Sequence, residues 1–192
     1  ERHALGLAAE GGVFVSAYND AHGIAGQATM AAEVVDEVGD DVTLVVPVGG
    51  GGLLAGSALV AADRPGMRLV GVEAANSPAV SSAVTAGRVV TVDVSPSLAD
   101  GLGGNLEPGS VTPAVAGPRV DAFVPVPEAR IAAAMRTLAT QAGLVAEGAG
   151  AVGFAALMAG AVPTDRQVVV VLTGRNVAPD LLARVLNGDL YG

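Results

Sequence analysis

Four consecutive glycines, Gly49 to Gly52, constrain this chain more than any other feature of its sequence. The run before them, Val42 to Val48, is mostly apolar and β-branched, which predicts a strand buried on both faces of a parallel sheet. From Leu53 through Val60 the pattern becomes helical. Glycine lets the backbone approach an anion closely, and the first N–H groups of a helix lack partners. The stretch therefore predicts a phosphate cup between a strand and a helix.

The chain contains no lysine, because all ten of its basic residues are arginines. This excludes a P-loop, which ends in Gly-Lys-Ser/Thr. A phosphate cup must then consist of backbone N–H groups. At roughly 1.5–3 kcal/mol for each hydrogen bond to a charged group, three or four of them suffice without a cation. The alternative is a glycine-rich turn that serves only tight packing of a strand on a helix.

Composition narrows the class of protein. A chain of 192 residues that is 51% hydrophobic suits one domain with a sizeable core. A net charge of −9 argues against nucleic acid and anionic membranes as partners. We expect a cytoplasmic protein, since there is no cysteine, no apolar stretch of membrane-spanning length and no secretory signal. Two histidines without a cysteine also predict that there is no metal site.

The order of elements predicts an α/β fold with a mostly parallel open sheet and helices on both faces. We expect strands at residues 13–16, 42–48, 69–72, 120–126 and 168–172. Helices are expected at residues 4–10, 24–38, 53–62, 78–86, 128–141, 151–159 and 178–186, with Ser77 as the cap of the fourth. Residues 94–109 read as a long loop, which in a compact domain is usually functional. Ligands of such sheets bind at the carboxyl ends of the strands.

One interpretation of this edge is a dinucleotide site. The run from Gly50 to Ala55 fits G-x-G-x-x-A, in which Gly50 and Gly52 are the first two glycines. Glu73 ends the next predicted strand, about where an acid that binds ribose should lie. The match is weak, because four glycines satisfy many glycine patterns.

A second interpretation explains more of the chain. The segments that carry it are Val45 to Leu53, Val72-Glu73, Leu98 to Leu102, Val145 to Ala151 and Leu172 to Asn176, in this order. Together they resemble the pyridoxal-phosphate enzymes of the threonine dehydratase and serine racemase group, which have the tryptophan synthase β-like fold. The resemblance extends over residues 4–186. It implies that the chain is the C-terminal portion of such an enzyme, mostly the large domain, with residues 1–12 as the tail of the small domain.

The resemblance also implies roles for individual residues. Gly49, Gly50, Gly51, Gly52 and Leu53 would give backbone N–H groups to the cofactor phosphate. The Thr173 hydroxyl would face the pyridine nitrogen, and Gly101 would lie beside the cofactor. Asp100 and Glu147 match acids near the active site and are the candidate catalytic residues. Each polar residue has a simpler interpretation: Asp100 as a turn residue, Glu147 as a helix cap, and Thr173 as a hydroxyl bonded to its own backbone.

Three departures from the family pattern limit what can be transferred. The Schiff-base lysine of the family is absent, so we expect this segment alone to be inactive. Arg175 follows Thr173-Gly174 where many relatives have a small residue, and we expect it to face solvent. Some relatives bind a divalent ion with an acid matching Glu73 and an aspartate six residues later. That position is Ala79 here, which again predicts no metal.

The resemblance predicts that the parent protein is a lyase that converts L-threonine or L-serine to a 2-oxo acid and ammonia. A serine racemase activity and the dinucleotide-binding domain are the alternatives, and a scaffold without a ligand site is the third. The expected substrate is a small hydroxy amino acid. As a full-length protein we expect a homo-oligomer, either a dimer or a tetramer, that contacts neither nucleic acid nor membrane.

Overall fold

The computed structural model describes residues 2–190. Within that range the chain forms four strands, β1 (Val42–Pro47), β2 (Arg68–Ala74), β3 (Ala122–Val126) and β4 (Gln167–Val170). The helices are α1 (Arg2–Ala9), α2 (Ala21–Val38), α3 (Gly52–Ala61), α4 (Ala79–Ala86), α5 (Thr112–Ala116), α6 (Glu128–Gln141), α7 (Gly148–Met158) and α8 (Pro179–Asn187). A 3₁₀ turn covers Asp100–Leu102.

The strands form one parallel sheet in the order β3-β2-β1-β4. Val45, in the middle of β1, lies opposite Val70 of β2 and Val170 of β4. Every residue of β1 is buried, because this strand has a neighbour on each side and helices on each face. The predicted α/β class with a parallel sheet is therefore confirmed.

The core has two hydrophobic layers, one on each face of the sheet, and alternate side chains of a strand point into different layers. Val45 lies in the same cluster as Ile131 of α6 and Val152 of α7. Leu44 and Val46 point the other way, toward α2, α3, α4 and α5. The core thus lies on both faces of the sheet. The carboxyl edge of the sheet remains open for a ligand.

Helices α2 and α3 approach each other closely at Gly56. A Cβ atom placed on Gly56 would lie 2.6 Å from the backbone nitrogen of Ala28 and 2.7 Å from the carbonyl oxygen of Ile24. Glycine is needed here because any side chain would push the two backbones apart. Although α3 is apolar on all sides, no helix within residues 2–190 has the length and hydropathy required to span a membrane.

One predicted strand is absent, and two predicted helices begin at other residues than expected. Residues 13–16 form no strand, since no other strand in the described range pairs with them and Val13 is 91% exposed. Helix α2 begins at Ala21 because the Asp20 carboxylate accepts hydrogen bonds from the N–H groups of His22 and Gly23. Helix α7 begins at Gly148, three residues before the predicted start, because its first turn is made of small, buried residues.

Two further differences lie near the predicted long loop. Helix α5 was not predicted, because five residues are too few to show a helical period. Ser77 is not the cap of α4. Its hydroxyl pairs instead with the backbone of Gly104, and the Glu73 carboxylate occupies the start of α4.

Candidate functional site

A cavity of about 530 Å³ lies at the carboxyl edge of β1 and β4. Each residue that the sequence predicted as a cofactor contact lines it, together with side chains from the segment before α2 and from α2 itself: Gly49, Gly50, Gly51, Gly52, Leu53, Gly101 and Thr173, with Tyr18, Gln27 and Met30. Positions more than one hundred residues apart in sequence thus meet in one place. Their individual roles remain predictions.

The residues of the glycine loop line this cavity. Gly51 is the N-terminal boundary residue of α3 and has φ of +88°, a conformation that favours glycine. No side chain of the described part of the chain caps α3. Within residues 2–190 the N–H groups of Gly49 through Leu53 make no hydrogen bond. A helix start left in this way binds an anion, so the loop fits the phosphate of pyridoxal phosphate.

Tyr18 packs against the loop and was missed by the sequence analysis. A Cβ atom on Gly50 would lie 2.2 Å from Cγ of the Tyr18 ring, so the ring needs glycine at this position. The Tyr18 hydroxyl oxygen accepts a hydrogen bond from the N–H of Glu107 at 2.7 Å. The Ser16 hydroxyl donates to the Glu107 carboxylate at 2.7 Å. Only 3% of the residues are aromatic, and this rarity of aromatic side chains is the sequence signal that could have pointed to Tyr18.

The 3₁₀ turn brings Gly101 and Leu102 into the cavity wall, but Asp100 remains outside it. Asp100 is exposed, and its carboxylate accepts the N–H of Gly101 at 2.8 Å. This contact matches the interpretation of Asp100 as a turn residue. A Cβ on Gly49 would lie 3.1 Å from Cα of Leu102, so a bare glycine lets the turn approach the loop.

Glu128 anchors the segment before this turn and was also missed. Its carboxylate accepts hydrogen bonds from the Ser97 hydroxyl at 2.6 Å and from the N–H of Leu98 at 2.7 Å. Glu128 opens α6, where a carboxylate also interacts favourably with the helix dipole. The position of the 3₁₀ turn therefore depends on a side chain that does not touch the cavity.

Glu147 lies just before α7 and supports the turn that comes after Thr173. Its Oε2 accepts the N–H of Asn176 at 2.7 Å, and its own N–H donates to the carbonyl of Gly174 at 3.1 Å. It makes no side-chain hydrogen bond to the start of α7. The helix-cap interpretation is therefore wrong for this side chain, and Glu147 does not line the cavity either.

Thr173 is exposed and faces the cavity. Within residues 2–190 its hydroxyl makes no hydrogen bond, so it is free to meet a ligand and is not bonded to its own backbone. Arg175 is also exposed and is not part of the cavity wall. The residue after the end of β4 thus presents a neutral hydroxyl to the cavity.

Glu73 does not face the cavity. It is 2% exposed, and its Oε1 accepts the N–H of Val80 at 2.8 Å and of Ser81 at 3.3 Å. Burial raises the pKa of this carboxyl group, while the hydrogen bonds from Ser81 and Val80 oppose the rise. An acid occupied in this way cannot bind a ribose, so the dinucleotide interpretation is wrong.

Within residues 2–190 no three His, Asp or Glu side chains group in a way that would hold an ion. The expectation of no metal site stays a prediction.

Curated relatives match almost the whole chain. The L-threonine ammonia-lyase of Thermotoga maritima is 39% identical over 181 residues, which cover 94% of this chain and 45% of that protein. The catabolic L-threonine dehydratase of Escherichia coli K12 is 34% identical over 172 residues, covering 88% of this chain and 52% of that protein. The chain therefore spans about half the length of these relatives.

Solved structures also match most of this chain and about half of their own length. The processed form of threonine deaminase isoform 2 from Solanum lycopersicum matches with a TM-score of 0.88 and 27% identity, covering 97% of this chain and 56% of that one. Maize serine racemase matches with a TM-score of 0.81 and 27% identity, covering 93% and 56%. A family model described as pyridoxal-phosphate dependent enzyme matches residues 1–174. With a glycine loop that fits the cofactor phosphate and this match along most of its length, the chain belongs to the pyridoxal-phosphate-dependent enzyme family.

Proposed function

We propose that the protein containing this chain is a pyridoxal-phosphate-dependent ammonia-lyase that acts on L-threonine or L-serine. It removes the β-hydroxyl as water, and a water molecule then replaces the amino group, which leaves as ammonia, so that the products are a 2-oxo acid and ammonia. The observation that carries the proposal is the meeting of an uncapped helix start and a free Thr173 hydroxyl in one cavity. Two relatives named for the same reaction on threonine support it.

In this proposal the backbone holds the phosphate. The N–H groups of Gly49 through Leu53 donate to its oxygens, and the dipole of α3 adds a favourable field. Among the residues that the structure describes, no cationic side chain lines the cavity. The net charge of −9 does not oppose binding strongly, because exposed charges farther than about 10 Å are screened by salt at 0.1 M.

Thr173 would orient the pyridine ring by a hydrogen bond to its nitrogen. A hydroxyl carries no charge at neutral pH, so it leaves this nitrogen unprotonated. Bound pyridoxal phosphate supplies the electron sink that permits loss of the β-hydroxyl. By leaving the nitrogen unprotonated, the Thr173 hydroxyl would moderate that sink and favour elimination over other outcomes.

The chain itself lacks the amine that such an enzyme requires, since it has no lysine. We propose that this amine comes from outside these 192 residues and that the chain alone is inactive. Asp100 and Glu147 then act on the shape of the site, because neither lines the cavity. Asp100 stabilises the 3₁₀ turn, and Glu147 stabilises the turn after Thr173.

A serine racemase activity is the second candidate. Maize serine racemase matches with the same 27% identity as the tomato threonine deaminase. Both reactions begin with loss of the α-proton of the substrate and differ in whether the β-hydroxyl then leaves or a proton returns to the α-carbon. We also propose that the full-length protein is a cytoplasmic homo-oligomer whose substrate is a small hydroxy amino acid.

The test uses the full-length protein, incubated with L-threonine, L-serine or their D-enantiomers. We expect pyridoxal-phosphate-dependent release of equal amounts of 2-oxo acid and ammonia from an L-substrate. Formation of D-serine without 2-oxo acid would favour the racemase. Neither product, at full occupancy by the cofactor, would reject both. The variant Gly26→Ala, at an open position of α2, is the control for preparation.

A further inference from the structure

Thr112 contacts the glycine loop but does not line the cavity. It is the first residue of α5 and is fully buried. Its hydroxyl donates a hydrogen bond to the carbonyl oxygen of Gly50 at 2.7 Å. The hydroxyl oxygens of Ser110 and Thr112 lie 3.0 Å apart. Since a carbonyl can only accept, the Thr112 proton is committed to Gly50, and Ser110 is therefore the donor to Thr112.

The same side chain occupies the space beside Gly51. A Cβ atom on Gly51 would lie 2.9 Å from Oγ1 of Thr112 and 3.2 Å from Cγ2 of Val80. The loop is thus packed against a threonine whose own position is fixed by burial and by Ser110. Thr112 contacts the loop by shape as well as by its hydrogen bond.

The peptide unit between Gly50 and Gly51 links these contacts to the cavity. In a planar trans peptide the C=O and N–H groups point in opposite directions. A Gly50 carbonyl that points toward Thr112 therefore turns the N–H of Gly51 away from α5, toward the side on which both glycines line the cavity. Half a turn of this peptide would present the carbonyl oxygen to an anion. Glycine on both sides makes that rotation inexpensive unless something holds it.

We propose that Thr112, supported by Ser110, is a positioning residue. It holds the Gly50–Gly51 peptide with its N–H toward the cavity and so sets the affinity for a phosphate monoester. The inference rests on the proposed function, in which this phosphate belongs to pyridoxal phosphate. It adds that the cup depends on a hydroxyl that never touches the ligand.

The test compares dissociation constants for pyridoxal phosphate and for pyridoxal, which has the same ring without phosphate. The apo form of the full-length protein is used. In Thr112→Val the constant for pyridoxal phosphate should rise about tenfold, as expected for one lost hydrogen bond, and the constant for pyridoxal should not change. Thr140→Val is the matched control, because it removes a hydroxyl that donates to a backbone carbonyl in α6 and does not line the cavity.

A second pair of variants covers the case in which Thr112→Val does not fold. Thr112→Ser and Thr112→Ala both lack the methyl group and differ only in the hydroxyl, so Ser should bind pyridoxal phosphate more tightly than Ala. The inference is overturned if wild type and Thr112→Val, or Thr112→Ser and Thr112→Ala, bind pyridoxal phosphate equally. It is also overturned if Thr112→Val loses as much affinity for pyridoxal, or if Thr140→Val loses as much affinity for pyridoxal phosphate. Each of these results leaves the proposed function intact. A wild-type protein that binds pyridoxal phosphate no better than pyridoxal overturns the proposed function, and this inference with it.

Discussion

The carboxylate of Glu147 accepts a hydrogen bond from the backbone N–H of Asn176 at 2.7 Å. The same residue donates its backbone N–H to the carbonyl of Gly174 at 3.1 Å. A Cβ atom on Gly174 would lie 2.6 Å from Oε1 of Glu147, so glycine is required for this contact. The turn after Thr173 is therefore held by an acid from a different part of the chain.

We predict that Glu147→Ala lowers kcat of the full-length enzyme, because the turn loses a hydrogen bond to a charged group, worth about 1.5–3 kcal/mol. Glu147→Gln keeps the acceptor oxygen and should stay close to the wild type. Steady-state kinetics and thermal unfolding of both variants provide the measurement. If Gln is as impaired as Ala, the negative charge matters and the positioning role is refuted.

Thr173 should matter for activity but not for stability. Its hydroxyl is exposed and bonds to nothing within residues 2–190, so Thr173→Val should leave the melting temperature nearly unchanged. If the hydroxyl meets the cofactor ring, the same variant should lose about tenfold in kcat, and Thr173→Ser should recover most of it. Full activity of the valine variant would remove Thr173 from the site.

The contact of α2 with α3 predicts opposite effects for two glycine substitutions. Gly56→Ala inserts a methyl group between two backbones and should destabilise the fold by about 1–3 kcal/mol. Gly26→Ala lies in the same pair of helices with open space around it, and it should stabilise α2 by about 0.5–1 kcal/mol. Urea unfolding of both variants tests the pair. Similar midpoints for the two would show that the helices do not pack as closely as described.

Glu73 predicts a pH dependence of stability. Burial raises its pKa above the ordinary value of 4.5, so the folded protein holds the proton more tightly than the unfolded chain does. The free energy of unfolding should therefore fall as pH rises from about 4.5 through the raised pKa, and then level off. Glu73→Gln cannot titrate and should lack this decrease.

The measurement is the difference in urea midpoint between wild type and Glu73→Gln from about pH 4.5 upward. Glu37→Gln, which removes an exposed carboxylate from α2, controls for the change in net charge. A difference that stays constant, or that grows in favour of the wild type as pH rises, would contradict the effect of burial.

The features that the sequence predicted well are local in the chain. A β-branched run identifies β1, and glycines next to a helical pattern identify the loop without reference to any distant residue. The carboxyl-edge rule for parallel sheets then places Thr173 beside Gly49, because β4 is the neighbour of β1. The pattern, this rule and the resemblance to the pyridoxal-phosphate enzymes together supplied the predicted part of the cavity lining, which is Gly49 through Leu53, Gly101 and Thr173, but they did not supply Tyr18, Gln27 or Met30.

The features that the sequence could not predict depend on contacts between distant segments. The bond from Thr112 to Gly50 joins residues 62 positions apart, and nothing in either neighbourhood signals it. Glu73 was interpreted as a ligand contact because it ends a predicted strand. In the structure β2 continues to Ala74, and Glu73 is directed to the start of α4 instead. A position at the end of a strand indicates at which edge of the sheet a residue lies, but not which groups its side chain contacts.

The most direct test is a crystal structure of the full-length protein with pyridoxal phosphate bound. We predict the phosphate within hydrogen-bond distance of the N–H groups of Gly49 through Leu53, and the ring nitrogen within such distance of the Thr173 hydroxyl. A phosphate bound by arginine side chains elsewhere, with the glycine loop empty, would contradict the account.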